Sequence, residues 1–467
     1  MTRPRSPVAL IFSALLFAAP GFPRSAAAAG CGTVVEVPDE IAALMGNSGN
    51  GAPQVCEPVR FGDRLPPAGP SQSSQPAPPS QAAPPPRRTT APPPRRAASR
   101  VPQAISGAHL RDEAVALVTG GRNEADNVAR SLGLTVVSVR PSLLLGNTLA
   151  RFRIPDGRTV PSVLAQLARA PGIDQPAPNH LFDLQAGTSG ALGFAFKHIQ
   201  LDAVAGRVSG RGVRVAIIDS AVDRDHAALR GAIAATFDAL PGLAVRERAH
   251  ATAIAGLIAG RGRGDQAGVA PGAELLIARA FDIGSSGKAS SRTDAILAAL
   301  DWAVGERAQV INMSFAGPRN GLIARALQAA SQRGVVLIAA AGNNGPRAPF
   351  AYPGAENSVL AVTATDHRDR IYVKANRGRY VFAAAPGVDL IAPTPGGGIG
   401  LVTGTSFSAA VLSGVAALVI ERSPGRTPSA IAQTIAKTAR DLGKPGRDKI
   451  FGAGLANAAG ATGIAAP

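Results

Sequence analysis

From about residue 190 onward, short runs that are apolar at nearly every position alternate with longer stretches of helical spacing. The runs are VRVAII (213–218), ELLIARA (274–280), QVINM (309–313) and VVLIAAA (335–341); helical stretches include 291–306, 321–334 and 428–439. A strand with no polar face needs cover on both sides, and the intervening helices supply it. The pattern predicts an α/β region, a parallel doubly wound sheet flanked by helices, over residues 190–467. In such a sheet, ligands gather beyond the carboxyl ends of the strands. Residues 108–186 have another rhythm. EAVALVTG (113–120), TVVSVRP (135–141) and TLARFRIP (148–155) read as strands, and 122–134 and 159–172 as helices. Strand–helix–strand–strand–helix predicts a small α+β unit with both helices on one face of its sheet.

Upstream of that unit the periodicity disappears. Residues 65–107 are rich in Pro, Ser, Gln, Ala and Arg, with APPPRR at 83–88 and again at 91–96. Such a composition cannot bury enough apolar surface to fold, and it predicts an extended basic linker. The first residues have the three-part layout of a secretory signal. Arg3 and Arg5 precede the apolar stretch 8–19, and SAAAAG (25–30) ends in small residues, placing cleavage near Ala29. The chain is therefore expected to be secreted or held at the cell envelope. Its two cysteines, Cys31 and Cys56, lie in the short segment 30–64. A Cys31–Cys56 disulfide and lipidation of Cys31 are both open readings there.

Composition narrows the partners. Of 467 residues 46% are apolar, enough for a large core, and the net charge is +17. That charge favours anionic surfaces such as a cell envelope. Aromatic residues are only 4% and no basic segment is interleaved with them, so nucleic acid is not expected as a partner.

The chemistry-bearing candidates sit where the elements end. The run 213–218 stops at Asp219, and 335–341 leads into GNNG, which carries Asn343. His250 opens the small-residue stretch HATAIAGLIAG, and Ser406 opens SFSAAVLSG in the same way. Taken singly, each has an ordinary reading: a cap, a turn, a structural histidine, or a hydroxyl on a buried helix. The uncharged stretch 402–420 would even suit a membrane anchor, but it lacks an aromatic belt and another amphipathic helix follows it. Taken together, the four converge on one edge of one sheet. A serine hydroxyl needs a base within reach, imidazole can take and return its proton, and a carboxylate fixes the imidazole tautomer. A carboxamide at a glycine-rich strand end, with a backbone N–H, suits a developing oxyanion.

These residues, in this order, resemble the subtilisin-like serine peptidases. VAIIDSAVD is similar to their aspartate motif, HATAIAG to the histidine motif, AAAGNNG to the oxyanion segment and GTSFSAA to the serine motif. The resemblance covers about 195–463. It implies a serine endopeptidase with Asp219, His250 and Ser406 as its triad and Asn343 as oxyanion donor. It further implies that INMSFAGP (311–318) pairs with the substrate as an added strand. Ser314, Phe315, Ala316, Gly317, Ala340, Ala341 and Gly342 would then line a first specificity pocket without charge, favouring apolar or aromatic side chains. Residues 108–186 resemble the inhibitor-like pro-domain of the family, with PAPNHLFDL as its terminal strand and self-cleavage between about 180 and 193. The expected partners are peptide or protein substrates and the chain's own pro-domain in cis.

The sequence departs from the family pattern in three places. Ala251 and Ala253 stand where the family has glycine and a second histidine, and Ala410 stands where it has proline. The segment 260–271 is shorter than the family's calcium-binding loop, so no metal or other cofactor is assigned. The alanines beside His250 also admit a second reading, a binding protein on an inactive peptidase scaffold.

Overall fold

The computed structural model describes residues 107–184, 195–262, 267–284 and 287–464. The signal, both cysteines and nearly all of the Pro/Arg-rich stretch lie outside the described residues, as does the expected self-cleavage region beyond 184.

The N-terminal unit runs β1 (His109–Val118), α1 (Gly121–Leu132), β2 (Thr135–Pro141), β3 (Thr148–Arg153), α2 (Val160–Leu167) and β4 (Ile173–Leu184). Its strands pair antiparallel in the order β2-β3-β1-β4. Alternation along β1 and β3 sends Ala114, Ala116, Val118, Ala150 and Phe152 to one face, where Val128 and Ala129 of α1 and Val163, Leu164 and Leu167 of α2 close a core. α2 is shorter than the spacing suggested, because Pro171 and Gly172, the latter at φ +75°, turn the chain into β4.

The larger region begins with α3 (Ala195–His198) and β5 (Arg214–Asp219), followed by β6 (Ile233–Asp238), α4 (Ala249–Ala259) and β7 (Glu274–Arg279). Next come β8 (Asp282–Ile283), β9 (Ala289–Arg292), α5 (Thr293–Gly305), β10 (Val310–Met313) and β11 (Phe315–Ala316). The chain continues through α6 (Gly321–Gln332), β12 (Val336–Ala340), β13 (Val359–Thr365), β14 (Val381–Pro386) and a hairpin of β15 (Leu390–Thr394) and β16 (Gly398–Val402). It ends with α7 (Thr405–Arg422), α8 (Pro428–Thr438) and α9 (Ala458–Thr462). Seven strands form one parallel sheet in the order β14-β13-β12-β10-β5-β7-β6. β5, β10 and β12 are buried along most of their length on both faces, as their unbroken apolar runs require.

α7 is the axis of this region. It is long and apolar enough to cross a membrane, with a mean hydropathy of 1.3, yet 89% of its residues are buried within the protein. Its small residues are what close packing needs. A Cβ on Gly414 would sit 2.5 Å from Val269 Cβ, and one on Gly387, facing the helix, would sit 1.9 Å from Ser408 Oγ. The interior hydroxyls are bonded: Ser408 Oγ donates to Ala385 O at 3.0 Å, Ser413 Oγ to Ala409 O at 2.8 Å.

β4 joins the two regions. Its first half belongs to the small sheet. Its last residues run antiparallel between β9, where Leu181 faces Arg292 and Asp183 faces Ser290, and β11, where Leu184 faces Phe315.

Candidate active site

β5 delivers Asp219 to the carboxyl end of the sheet with no exposed surface. A carboxylate so placed is costly without partners. Its oxygens lie 2.9 and 2.8 Å from Nδ1 of His250, and Oδ1 accepts the Ser220 N–H at 2.7 Å. With Nδ1 donating to the carboxylate, the neutral ring carries its lone pair on Nε2, the nitrogen that can take up a proton. His250 is the second residue of α4. Glu247 satisfies the opening N–H groups of that helix, accepting from Ala249 N at 2.7 Å and from His250 N at 3.1 Å, so backbone and ring are both fixed.

Ser406 is the second residue of α7, after Gly404 at φ +145°, a conformation that only glycine adopts readily. Its Oγ donates to Ser314 O at 2.9 Å, and Ser314 Oγ donates to Ser406 O at the same distance, locking the helix start to the end of β10. The next side chain, Phe407, lies 5.5 Å from the His250 ring, centroid to centroid. Serine, imidazole and carboxylate are thereby gathered at one corner of the sheet.

Asn343 follows β12. Its Oδ1 accepts from Thr405 N at 3.1 Å and from Thr405 Oγ1 at 2.9 Å, and Thr405 Oγ1 accepts in turn from Gly342 N at 3.1 Å. Turning Oδ1 toward Thr405 orients the carboxamide beside the helix N-terminus that carries Ser406.

The seven predicted pocket residues divide. Ser314, Ala340, Ala341 and Gly342 are buried under the serine and asparagine, whereas Phe315 turns into an aromatic cluster with Phe281 at 4.8 Å and Phe182 at 6.1 Å. Ala316 pairs with Asp183, and Gly317 pairs with Tyr352 and lies against Phe182. Ala351 was not singled out by sequence reasoning. Its methyl lies 3.1 Å from where a Gly342 Cβ would be, so it belongs to the same wall. The signal available was only its position before Tyr352–Pro353. Ala251, Ala253 and Ala410, the departures from the family pattern, are all buried methyl groups in the main core.

Comparison with known proteins places the chain in a family. Residues 210–454, just over half of the chain, match the model of the subtilase family. Over 55% of its length the chain is 32% identical to subtilisin Savinase of Lederbergia lenta, covering 92% of that protein. It is 31% identical to a thermophilic serine proteinase of a Bacillus species, over 65% of this chain and 75% of the relative. It is 30% identical to the minor extracellular protease Epr of Bacillus subtilis over 53% of its length, but spans only 38% of that longer protein. Among solved structures, fervidolysin of Fervidobacterium pennivorans, described as a keratinolytic enzyme related to subtilisin, superposes with a TM-score of 0.67 at 23% identity. That match covers 78% of this chain and 63% of fervidolysin and speaks to the fold. The chain belongs to the subtilase family of serine endopeptidases.

Proposed function

We propose that the protein is an exported endopeptidase in which Ser406 attacks the peptide carbonyl. His250 takes the serine proton and returns it to the leaving amine, and Asp219 holds the imidazole tautomer. Asn343 Nδ2 and the Ser406 N–H receive the oxyanion. The observation that carries this reading is the buried His250–Asp219 pair beside a helix whose first turn bears Ser406.

The chain is made as a zymogen, and residues 108–186 are its inhibitor. The support is β4, whose last residues lie as an added strand between β9 and β11, the way an extended peptide substrate would lie. Phe182 in the cluster of Phe281 and Phe315 anchors that strand. The scissile bond falls just past the paired residues, beyond Leu184. An uncharged wall of Ser314, Ala316, Gly317, Ala340, Ala341 and Gly342 favours an apolar or aromatic side chain before that bond.

The test is expression of the wild type beside Ser406→Ala, read by intact mass. The wild type is expected to split shortly after residue 184 while the variant stays whole. If both chains stay whole, or both split alike, self-processing through Ser406 is wrong. Failure of a fluorophosphonate to label Ser406 would then reject the nucleophile as well.

A further inference from the structure

We infer that Asn376, with Tyr380 beside it, is the positioning residue that sets the oxyanion arm carrying Asn343; the inference rests on the reading of Asn343 as an oxyanion donor. Asn343 begins a loop whose residues 344, 346, 347, 349 and 350 are exposed and which has no regular structure. A side chain on such a loop is only as well placed as the backbone behind it. Thr405 fixes the carboxamide from the helix side, but the two peptide units flanking Asn343 are held elsewhere. The unit before it is held through Gly342 O, which accepts the Asn376 N–H at 2.9 Å. The unit after it is held through Asn344 N, which donates to Asn376 Oδ1 at 2.9 Å. Asn376 also reaches the far end of the loop, donating from Nδ2 to Pro349 O at 3.3 Å. One residue, itself only 1% exposed, therefore ties both peptide planes around the proposed donor, the first through its backbone N–H and the second, together with the far end of the loop, through its carboxamide.

Two further contacts make the clamp rigid. Gly342 has φ +105°, and a Cβ there would sit 2.6 Å from Asn376 Nδ2, so glycine at 342 lets the asparagine close against the backbone. Tyr380 Oη donates to Ala341 O at 2.6 Å, one residue upstream. Burial pushes the Tyr380 hydroxyl up from its ordinary value against the opposing hydrogen bonds from Asn376 and Ala351, so it remains an O–H donor at neutral and mildly alkaline pH. An oxyanion donor contributes only when it is pre-set at the place where charge develops. A misplacement on the order of 1 Å costs about 100-fold in rate.

The experiment compares Asn376→Ala, Tyr380→Phe, Asn343→Ala and the Asn376→Ala/Asn343→Ala double variant in the full chain. Two rates are read: first-order self-cleavage, and labelling by an alkyl fluorophosphonate resolved into its maximal rate and half-saturating concentration. Asn376→Ala is expected to slow the maximal rate by about 10–100-fold with little change in half-saturation, and Tyr380→Phe by a smaller factor. In the Asn343→Ala background, Asn376→Ala should have almost no further effect, because what it positions is already gone. A purely structural role would instead lower stability and add its loss in both backgrounds. The inference is overturned if Asn376→Ala keeps the wild-type rate while Asn343→Ala loses it, or if the two losses multiply. If Asn343→Ala itself keeps the wild-type rate, the underlying reading of Asn343 fails, and that result is distinct from the first two. Should Asn376→Ala not fold, Tyr380→Phe, which removes one hydroxyl and keeps the ring, decides by the same criteria.

Discussion

The small antiparallel sheet and the large parallel one both bury aliphatic side chains, but they close their cores differently. The large region is covered on both faces by its own helices, and α7 runs through it with every residue from 405 to 420 buried. The small unit covers one face with α1 and α2. The other face presents Val115, Leu117, Leu149 and Ala177, which are buried against Ala295, Leu322 and Leu327 of α5 and α6. The contact is also laced with buried polar groups. Asn179 Nδ2 donates to Glu113 at 2.9 Å, and Arg151 pairs with Glu113 at 2.9 Å and with Asp294 at 3.3 Å. His180 N donates to Thr293 Oγ1 at 2.9 Å. A face that is part apolar and part ionic resembles an interface between separable partners more than a domain core. Such a face suits the inhibitor role proposed for the small unit, which would dock on its neighbour and later be discarded.

The largest effect that would test this contrast comes from the small core. Phe152 has no exposed surface, and truncating such a side chain costs about 3–5 kcal/mol. In an uncut Ser406→Ala chain, Phe152→Ala should produce a first thermal transition for the small unit ahead of the main one, followed by calorimetry. A single transition shifted as a whole would mean that the two regions melt as one body, and the contrast would fail.

That contrast was only half visible in the sequence. β5, β7, β10 and β12 could be read because burial on both faces leaves unbroken apolar runs. β6, whose residues alternate between half-buried and exposed at the sheet edge, and the glycine-rich β15–β16 hairpin gave no such signal. Asp219, His250, Asn343 and Ser406 stood out because each is a polar residue where an apolar element starts or stops. Asn376 and Tyr380 did not, since they lie in the irregular segment ANRGRY, where nothing in residue type or period marks a clamp. Nor could local pattern show that β4 belongs to two sheets, since its partners in β9 and β11 lie more than a hundred residues away.

A smaller effect is expected where β4 enters the proposed substrate cleft. A Cβ on Gly317 would sit 2.3 Å from Phe182 Cδ1, with two further ring atoms within 2.9 Å. Gly317→Ala should therefore push the strand outward, at the roughly 1–3 kcal/mol typical of overpacking, and slow self-cleavage. The melting temperature of the mature enzyme, once the strand has left, should change little. Wild-type self-cleavage in this variant would show that Phe182 does not hold the strand.

The smallest effect is a matter of sign, and it probes the ionic part of the contact. Asp294 and Asp301 both lie on α5 facing the small unit. Burial acts to raise the Asp294 carboxyl, but Arg292, Arg151 and Asn179 together outweigh it and hold the group below the usual range. Its contribution is therefore present above the ordinary aspartate value of about 3.9 and is lost as the pH falls through its depressed folded value. Asp301 behaves oppositely. Burial pushes it up despite hydrogen bonds from Leu144 N and Ser142 and the nearby Arg140 and Arg333. Its carboxyl favours the docked state at low pH, and that advantage is lost as the pH rises through its raised value. In the uncut Ser406→Ala chain, Asp294→Asn should flatten the loss of stability on acidification, whereas Asp301→Asn should steepen it. Denaturation midpoints measured from about pH 3 to pH 7 report both slopes. If the two variants shift the pH profile in the same direction, the contact does not hold its two aspartates in opposite environments, and its ionic half is ordinary surface chemistry.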